Sequence, residues 1–195
     1  MTNDLTVVKL GGSHALSPLL DGWLGAIGRA RGKVIVVPGG GPFADAVRAA
    51  QPAMGFDDAA AHDMALMTMA QYGRALTSLA DGFVYADTID AVYAAVARCE
   101  VPVWSPWPML RAHPDIPRSW DVTSDSLAIW LATAMEARRV VLIKHRAPTM
   151  AADDDLVDAA FPRFVARFGG AVLIAGRDDL IAADTLFGYH AAAVT

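Results

Sequence analysis

Short apolar runs alternate along the chain with longer stretches whose apolar residues recur at helical spacing. The runs are rich in valine and isoleucine and predict buried strands near residues 5–10, 34–37, 83–85, 101–104, 139–144, 171–175 and 191–194. The stretches between them predict helices near residues 17–31, 43–50, 58–80, 88–98, 121–137 and 156–168. Residues 105–119 are proline-rich and predict an irregular connection, and residues 146–155 predict a polar, acidic loop.

The alternation of strands and helices is typical of an α/β protein. It predicts a three-layer αβα sandwich with a mainly parallel central sheet. A chain of 195 residues fits one such domain, which we place at residues 1–195. Ser17-Pro18 predicts the start of the first helix, with serine at the cap and proline at the first helical position.

Composition narrows the class of protein. The net charge of -5 gives no broad basic face, so we expect no nucleic-acid partner. No apolar run reaches the roughly 20 residues needed to cross a bilayer, so we expect no membrane partner. Cys99 is the only cysteine, which excludes an intramolecular disulfide and favours a reducing compartment, the cytoplasm.

The first candidate for chemistry is Val8-Lys9-Leu10-Gly11-Gly12-Ser13. Glycines at the end of a strand let backbone N–H groups approach an anion, and the Ser13 hydroxyl can donate as well. Lys9 lies within a strand that is otherwise apolar, and a buried ammonium needs an anionic partner. That partner is either a bound phosphate or an internal carboxylate.

The second candidate is the loop Pro38-Gly39-Gly40-Gly41-Pro42, which follows the second predicted strand. It is interpreted as a backbone that passes very close to a ligand, and a tight strand–helix turn is the alternative. Two glycine loops at the carboxyl ends of adjacent parallel strands favour the ligand, because open α/β sheets bind ligands there. Neither loop has the P-loop pattern or G-x-G-x-x-G, which weakens a nicotinamide-dependent oxidoreductase.

Two further segments complete the candidate site. Thr123 or Ser124 is placed to cap the helix that follows, and that capping role alone explains Asp125 in its first turn. It does not explain Asp121. If this helix start faces the glycine loops, Asp125 would hold Lys9 in place and Asp121 would meet the substrate. Lys144 ends an apolar strand, as Lys9 does, and two lysines suit the charge neutralisation that phosphoryl transfer requires.

Other polar residues are expected to be structural. His113 and His190 stand alone, and Asp153-Asp154-Asp155 is expected to be a solvated loop, so we predict no protein-bound metal. His14 follows Ser13 and is expected either to reach a phosphate or to lie at the surface. The tryptophans around the proline-rich segment are expected to pack it down or to close over a substrate; they are Trp104, Trp107 and Trp120.

Taken together, the segments at 8–13, 38–42 and 121–126 stand in the order and spacing of the amino-acid-kinase family, which the chain resembles over about residues 5–145. That family includes acetylglutamate, uridylate, aspartate and isopentenyl phosphate kinases. The resemblance implies a cytoplasmic phosphotransferase that uses ATP and Mg²⁺. It further implies an acceptor-side lobe at about 1–137 and a shortened nucleotide-side lobe at about 138–195. The apolar helical stretch at 58–80 separately predicts a homo-oligomer.

The resemblance also implies the role of each site residue. Lys9, Asp125 and Lys144 would be catalytic, and Lys9, Gly11, Gly12, Ser13 and Lys144 would hold the phosphates of ATP. The acceptor would be bound by Gly39, Gly40, Gly41, Asp121, Ser124 and His62. Many relatives have a further lysine after the strand near 140–144. Here Lys144 is the last lysine, so Lys144, Arg146 or Arg177 would take that role.

Within the family, residues 119–132 look most like the kinases of tetrahydromethanopterin (methanofuran-type cofactor) biosynthesis. These phosphorylate an aminomethyl-furanmethyl phosphate to a diphosphate. In such a substrate the glycine loop would accept the phosphate, and Asp121 or Asp87 would pair with the ammonium. The alternative is a non-catalytic protein of the same fold that binds a nucleotide or an oxyanion, which the shortened C-terminal part favours.

Overall fold

The computed structural model describes residues 4–148 and 156–188. Within them, six strands form one sheet: β1 Thr6–Leu10, β2 Val34–Pro38, β3 Phe83–Ala86, β4 Val101–Trp104, β5 Arg139–Ile143 and β6 Ala171–Ala175. Their order is β3-β4-β2-β1-β5-β6, and every pairing between neighbours is parallel. The predicted α/β class with a parallel central sheet is therefore confirmed.

Helices cover the sheet on both faces. They are α1 Leu20–Arg29, α2 Gly41–Met54, α3 Asp58–Leu79, α4 Ile89–Ala97, α5 Trp107–Leu110, α6 Ser124–Ala134, α7 Phe161–Val165 and α8 Ala183–Leu186. One apolar core lies between the sheet and α4, α6 and α7, and a second lies between the sheet and α1 and α8. Helix α3 contributes to both cores, so it ties the two outer layers together.

The central strand β1 places a lysine in this apolar framework. Side chains alternate along a strand, so Val7 belongs to the first core and Val8 to the second. Lys9 therefore points to the same face as Val7, beside Val37 of β2 and Leu142 of β5 in the register. The chain leaves β1 for β2 on one side, whereas β5 lies on the other, so the carboxyl end of β1 is a topological switch point.

Two predicted helices are shorter than their patterns indicate. Helix α1 begins at Leu20 rather than at Ser17, because Ser17 closes a turn instead. Its hydroxyl accepts from the backbone N–H of Leu19 at 3.2 Å, and its carbonyl accepts from that of Leu20 at 3.1 Å. The helix predicted near 156–168 is confined to α7, because Asp158 before it is held by contacts with the start of α6.

Other differences lie in the connections and at the end of the chain. The proline-rich connection contains one helical turn, α5, and the chain after β6 continues as a 3₁₀ segment at Arg177–Ala182 and then α8, which the sequence pattern does not indicate. The strand predicted near 191–194, the histidine at 190 and the triple aspartate at 153–155 lie outside the described residues. Every helix within the described segments is too short or too polar to cross a membrane.

Candidate active site

A cleft of about 470 Å³ opens at the carboxyl ends of β1, β2 and β5. The residues predicted for the site line it together, with one exception. Those present are Lys9, Gly11, Gly12, Ser13, Gly39, Gly40, Gly41, His62, Ser124, Asp125 and Lys144. Residues more than one hundred positions apart thus meet at the switch point of the sheet.

Two lysines share one carboxylate at the floor of this cleft. The Nζ atom of Lys9 lies 2.7 Å from Oδ1 of Asp125, and Nζ of Lys144 lies 2.6 Å from Oδ2. The three side chains are only 6%, 12% and 5% exposed, for Lys9, Lys144 and Asp125 respectively. Lys9 therefore has an internal carboxylate as its partner, which the sequence allowed as an alternative to a bound phosphate. A single carboxylate between two ammonium groups leaves an excess positive charge, which an anion in the cleft would neutralise.

Burial and charge act in opposite directions on this cluster. Burial favours the neutral form of Asp125, yet the two lysines hold the pKa of its carboxyl below the ordinary value. Burial and, to a smaller extent, the charge of Lys9 lower the pKa of Lys144 to about 8, although Asp125 opposes the shift. Without a further anion, the positive charge of the Lys144 ammonium is thus incompletely neutralised.

The two loops need glycine for a structural reason in addition to the approach of a ligand. A Cβ atom added to Gly12 would lie 2.3 Å from the backbone nitrogen of Gly41, and one added to Gly39 would lie 2.4 Å from that of Gly12. Each loop is also tied to a neighbouring strand: Gly11 N–H donates to the Ile143 carbonyl at 3.0 Å, and Gly39 N–H donates to the Leu10 carbonyl at 2.9 Å. The glycines are therefore required because the two loops pack backbone against backbone.

The start of α2 brings a favourable dipole to the cleft. The helix begins at Gly41, whose φ of +57° is a conformation that glycine tolerates best. Pro42 follows in the first turn, where a missing N–H costs nothing. The first N–H groups of a helix have no intrahelical acceptor, and the partial positive charge there attracts anions. The loop and helix start thus have the character of a phosphate site.

The cap of α6 comes from a residue distant in sequence. Thr123 holds the cap position, but neither it nor Ser124 caps the helix with its own side chain as predicted. Instead, the Asp158 carboxylate accepts from the backbone N–H of Thr123 at 2.9 Å and from that of Ser126 at 3.0 Å, and from both hydroxyl groups. Burial raises the pKa of Asp158, although these hydrogen bonds oppose the shift. Asp158 thereby fixes the helix start that carries Asp125.

Two buried histidines lie beside the cleft. His62 lines it from α3, and its Nδ1–H donates to the Ser119 carbonyl at 3.2 Å. His14 is 2% exposed rather than at the surface, and its Nε2–H donates to the Lys144 carbonyl at 3.2 Å. Burial lowers the pKa of both imidazoles, so both are neutral at pH 7. His14 holds the end of β5 and does not line the cleft.

Asp121 is the exception among the predicted residues that the structure describes. Its side chain is exposed, its Oδ2 accepts from the Ser119 hydroxyl at 3.2 Å, and it does not line the cleft. Asp87, the other carboxylate proposed to pair with an ammonium of the substrate, does not line the cleft either.

The charged residues that line the wall formed by α2 are Asp45 and Arg48, which sequence reasoning missed. The sequence signal that could have found them is helical spacing. Asp45 and Arg48 follow Gly41 by four and seven residues, so the three residues share one face of the helix.

The charged residues of the cleft suit phosphate better than a bare metal ion. Across residues 4–148 and 156–188, no group of three or more His, Cys, Asp or Glu side chains is arranged to hold a metal. The buried lysine pair and the helix start of α2 instead offer positive charge and N–H donors. This donor set fits a nucleotide phosphate, and Mg²⁺ would be held chiefly by that phosphate.

Comparison with known proteins defines the class. Residues 4–165 match the amino acid kinase family, so the chain belongs to that family and the predicted resemblance is confirmed. A (5-(aminomethyl)furan-3-yl)methyl phosphate kinase of Methanocaldococcus jannaschii is 27% identical over 139 residues, which cover 70% of this chain. The match spans 63% of that relative's length.

Solved structures agree on the fold. The uridylate kinase of Archaeoglobus fulgidus has a TM-score of 0.71 at 14% identity, with 92% of this chain and 95% of that chain covered. The UMP kinase of Ureaplasma parvum has a TM-score of 0.68 at 15% identity, with 96% of each chain covered. An isopentenyl phosphate kinase has a TM-score of 0.58 at 17% identity, with 95% of this chain and 97% of that chain covered.

Proposed function

We propose that this protein is an ATP-dependent kinase that transfers the γ-phosphoryl group to a small phosphorylated acceptor, giving a diphosphate. The observation that carries the proposal is the Lys9–Asp125–Lys144 cluster at the floor of the cleft. Phosphoryl transfer depends on positioning and on neutralising the charge of the transferred group. Two buried ammonium groups beside two glycine loops supply both.

On the donor side, Gly11, Gly12 and Ser13 are assigned to the phosphates of ATP, with Lys9 and Lys144 at the transferring group. Asp125 would hold both ammonium groups in place, so it acts as an orienting residue and not as a base. Mg²⁺ bound to the nucleotide would neutralise further phosphate charge. An oxygen of the acceptor phosphate would form the new bond to the γ-phosphorus while the bond to the β-phosphate oxygen breaks, which releases ADP.

On the acceptor side, the start of α2 and the loop from Gly39 to Gly41 are assigned to the acceptor phosphate, with Arg48 as the nearby cation. Ser124 and His62 line the same cleft and are assigned to the acceptor as well.

The acceptor that we propose is (5-(aminomethyl)furan-3-yl)methyl phosphate, from the relative named above. Its ammonium needs a carboxylate, and Asp45 lines the cleft whereas Asp121 does not. The protein would accordingly act in tetrahydromethanopterin or methanofuran biosynthesis.

The test is ADP release from Mg·ATP by the purified protein, with the furan acceptor in one reaction and simple phosphate monoesters in others. Release that depends on the furan acceptor would support both the kinase and its substrate. Release with another phosphate ester alone would support the kinase and remove the furan assignment. Silence with every acceptor, together with measurable ATP binding, would favour the non-catalytic nucleotide-binding alternative.

We also propose a homo-oligomer in the cytoplasm. The support for assembly is the apolar helical stretch of α3, which leaves two large apolar side chains exposed, Met67 at 40% and Leu79 at 56%. Light scattering coupled to size-exclusion chromatography tests the assembly, and a strictly monomeric particle would remove it.

A further inference from the structure

Trp120 is held in one orientation at the wall of the cleft. Its indole N–H donates to the Gln51 side-chain oxygen at 2.7 Å, and the Arg48 guanidinium lies 4.4 Å from the ring centroid. Gln51 is itself fixed, because its amide donates to Asp58 at 2.8 Å. Two different contacts with α2 therefore set both the plane and the direction of the indole.

The other tryptophans near the proline-rich connection have a different setting. Trp104 is fully buried and stacks on Trp130 with ring centroids 5.9 Å apart. Trp107 is partly buried against the core beyond the cleft. Trp120 alone of the three lines the cleft, where its ring is partly exposed. Packing the connection down explains Trp104 and Trp107, but it leaves the exposed surface of the Trp120 ring unexplained.

Apolar side chains also line the cleft that Trp120 borders. Leu66 and Met69 of α3 line it from one side, and Val122 and Leu127 line it from the segment that follows Trp120. The cleft thus combines phosphate-binding charge with an apolar, aromatic wall. Such a wall favours a flat ring, which loses little conformational freedom when it is bound and contacts the indole over a broad area.

We infer that Trp120 is a specificity-determining residue, which contacts the ring of a planar, aromatic phosphorylated acceptor and disfavours aliphatic phosphates. The inference rests on the proposed function and adds the residue that selects the acceptor. Arg48 contributes through its contact with the Trp120 indole. Its guanidinium lies over the indole ring, and Arg48 also lines the cleft. The indole therefore places the aromatic contact next to a positive charge.

The experiment compares Trp120→Leu and Trp120→Phe with wild type on two acceptors, the furan acceptor proposed above and 3-methylbutyl phosphate, which has no ring. Initial rates give kcat/KM for each acceptor, and calorimetry without ATP gives each Kd. The matched control is Trp107→Leu, the same substitution outside the cleft. Thermal melting and ATP affinity of every variant are measured alongside.

We expect Trp120→Leu to lower kcat/KM for the furan acceptor about tenfold and that for the aliphatic acceptor less than about threefold. Trp120→Phe, which keeps a ring, should retain most of the preference, and Trp107→Leu should leave it unchanged. Equal losses on the two acceptors, or no loss, in an active wild-type enzyme would overturn the role of Trp120 alone. A wild-type protein that neither binds nor phosphorylates either acceptor would also overturn the proposed furan acceptor.

Discussion

The ammonium of Lys9 lies 2.7 Å from the carboxylate of Asp125, although the two residues are 116 positions apart and come from the central strand and a helix start. The second carboxylate oxygen receives Lys144, so neither ammonium has a carboxylate of its own. This shared pairing governs the predictions for the two lysines and for Asp125.

Replacing Lys9 by methionine removes one ammonium and keeps an apolar stem of similar length in the strand. We expect kcat to fall about 10²–10³-fold, because charge on the transferring group loses a preorganised partner. The fold should persist, since Asp125 keeps Lys144 as its counterion. Steady-state rates of ADP release measure the effect. The matched control is Lys33→Met, at an exposed lysine far from this cluster in sequence. Activity within about tenfold of wild type would show that Lys9 does not act on the transferring group.

Replacing Asp125 by asparagine leaves two buried lysines without their carboxylate. We expect the free energy of unfolding to fall by about 3 kcal/mol, because removing one partner of a buried ion pair leaves uncompensated charge. Urea denaturation with and without ATP measures the change. ATP should restore more stability to the variant than it adds to wild type, because its phosphates replace the missing anion. Unchanged stability without ATP would contradict the neutralising role of Asp125.

We expect Lys144 to make nucleotide binding depend on pH. Burial lowers its pKa to about 8, and bound phosphate would raise it again by stabilising the ammonium. Below about pH 7 the ammonium is charged both before and after binding, so no proton is exchanged at this residue. Above pH 8 binding requires proton uptake, and the Kd for ATP should rise by up to about tenfold per pH unit.

Calorimetry at pH 8.5 in two buffers of different ionisation enthalpy measures that proton uptake (the chosen pH is roughly half a unit above the pKa of Lys144). Lys144→Met should abolish the part of the proton uptake that is due to Lys144. Any proton uptake by the nucleotide itself should remain. Proton uptake that is the same in wild type and Lys144→Met would assign the pH dependence to another group.

Gly12→Ala tests the contact between the glycine loops. The added methyl group would meet the backbone nitrogen of Gly41 at 2.3 Å, so the loops must separate. We expect a loss of about 1–3 kcal/mol in the free energy of unfolding, together with a fall in kcat. Gly25→Ala is the matched control, because no atom lies within 4 Å of its added Cβ and alanine favours the α1 helix. Chemical denaturation and rate measurements should show the control at or above wild-type stability. Wild-type behaviour of Gly12→Ala would mean that the loops yield at little cost.

Sequence patterns predicted the parts of this molecule that are governed by local signals. The runs at 34–37 and 140–143 are apolar at successive positions because both faces of a central parallel strand are covered, so their strands were predictable. The glycine loops and Lys9 were also recognisable, since a lysine is unusual in such a run. The pairing of Lys9 with Asp125 was predictable only on the condition that the start of α6 faces the glycine loops, because the burial of a lysine does not identify its partner.

The features that the sequence did not predict depend on contacts between distant segments. Asp158 caps α6 from 32 positions beyond Ser126, and no local pattern marks an aspartate as the cap of another helix. The same contact delays the start of the helix predicted near 156–168, which begins only at Phe161. Asp121 stands next to residues of the cleft in sequence but turns to the surface, because Ser119 binds its carboxylate locally. Trp120, one position earlier, faces α2 instead.

The contact between the backbones of Gly12 and Gly41 has a consequence for how specificity can evolve. In the proposed reaction one loop holds the donor and the other holds the acceptor, so main-chain atoms set the separation of the two reactants. Substitutions at the rim, such as at Arg48 or Trp120, would then change which molecule is accepted without changing its distance from the γ-phosphorus. The loop contact therefore keeps the distance between the two reactants constant, while the residues at the rim of the cleft can change.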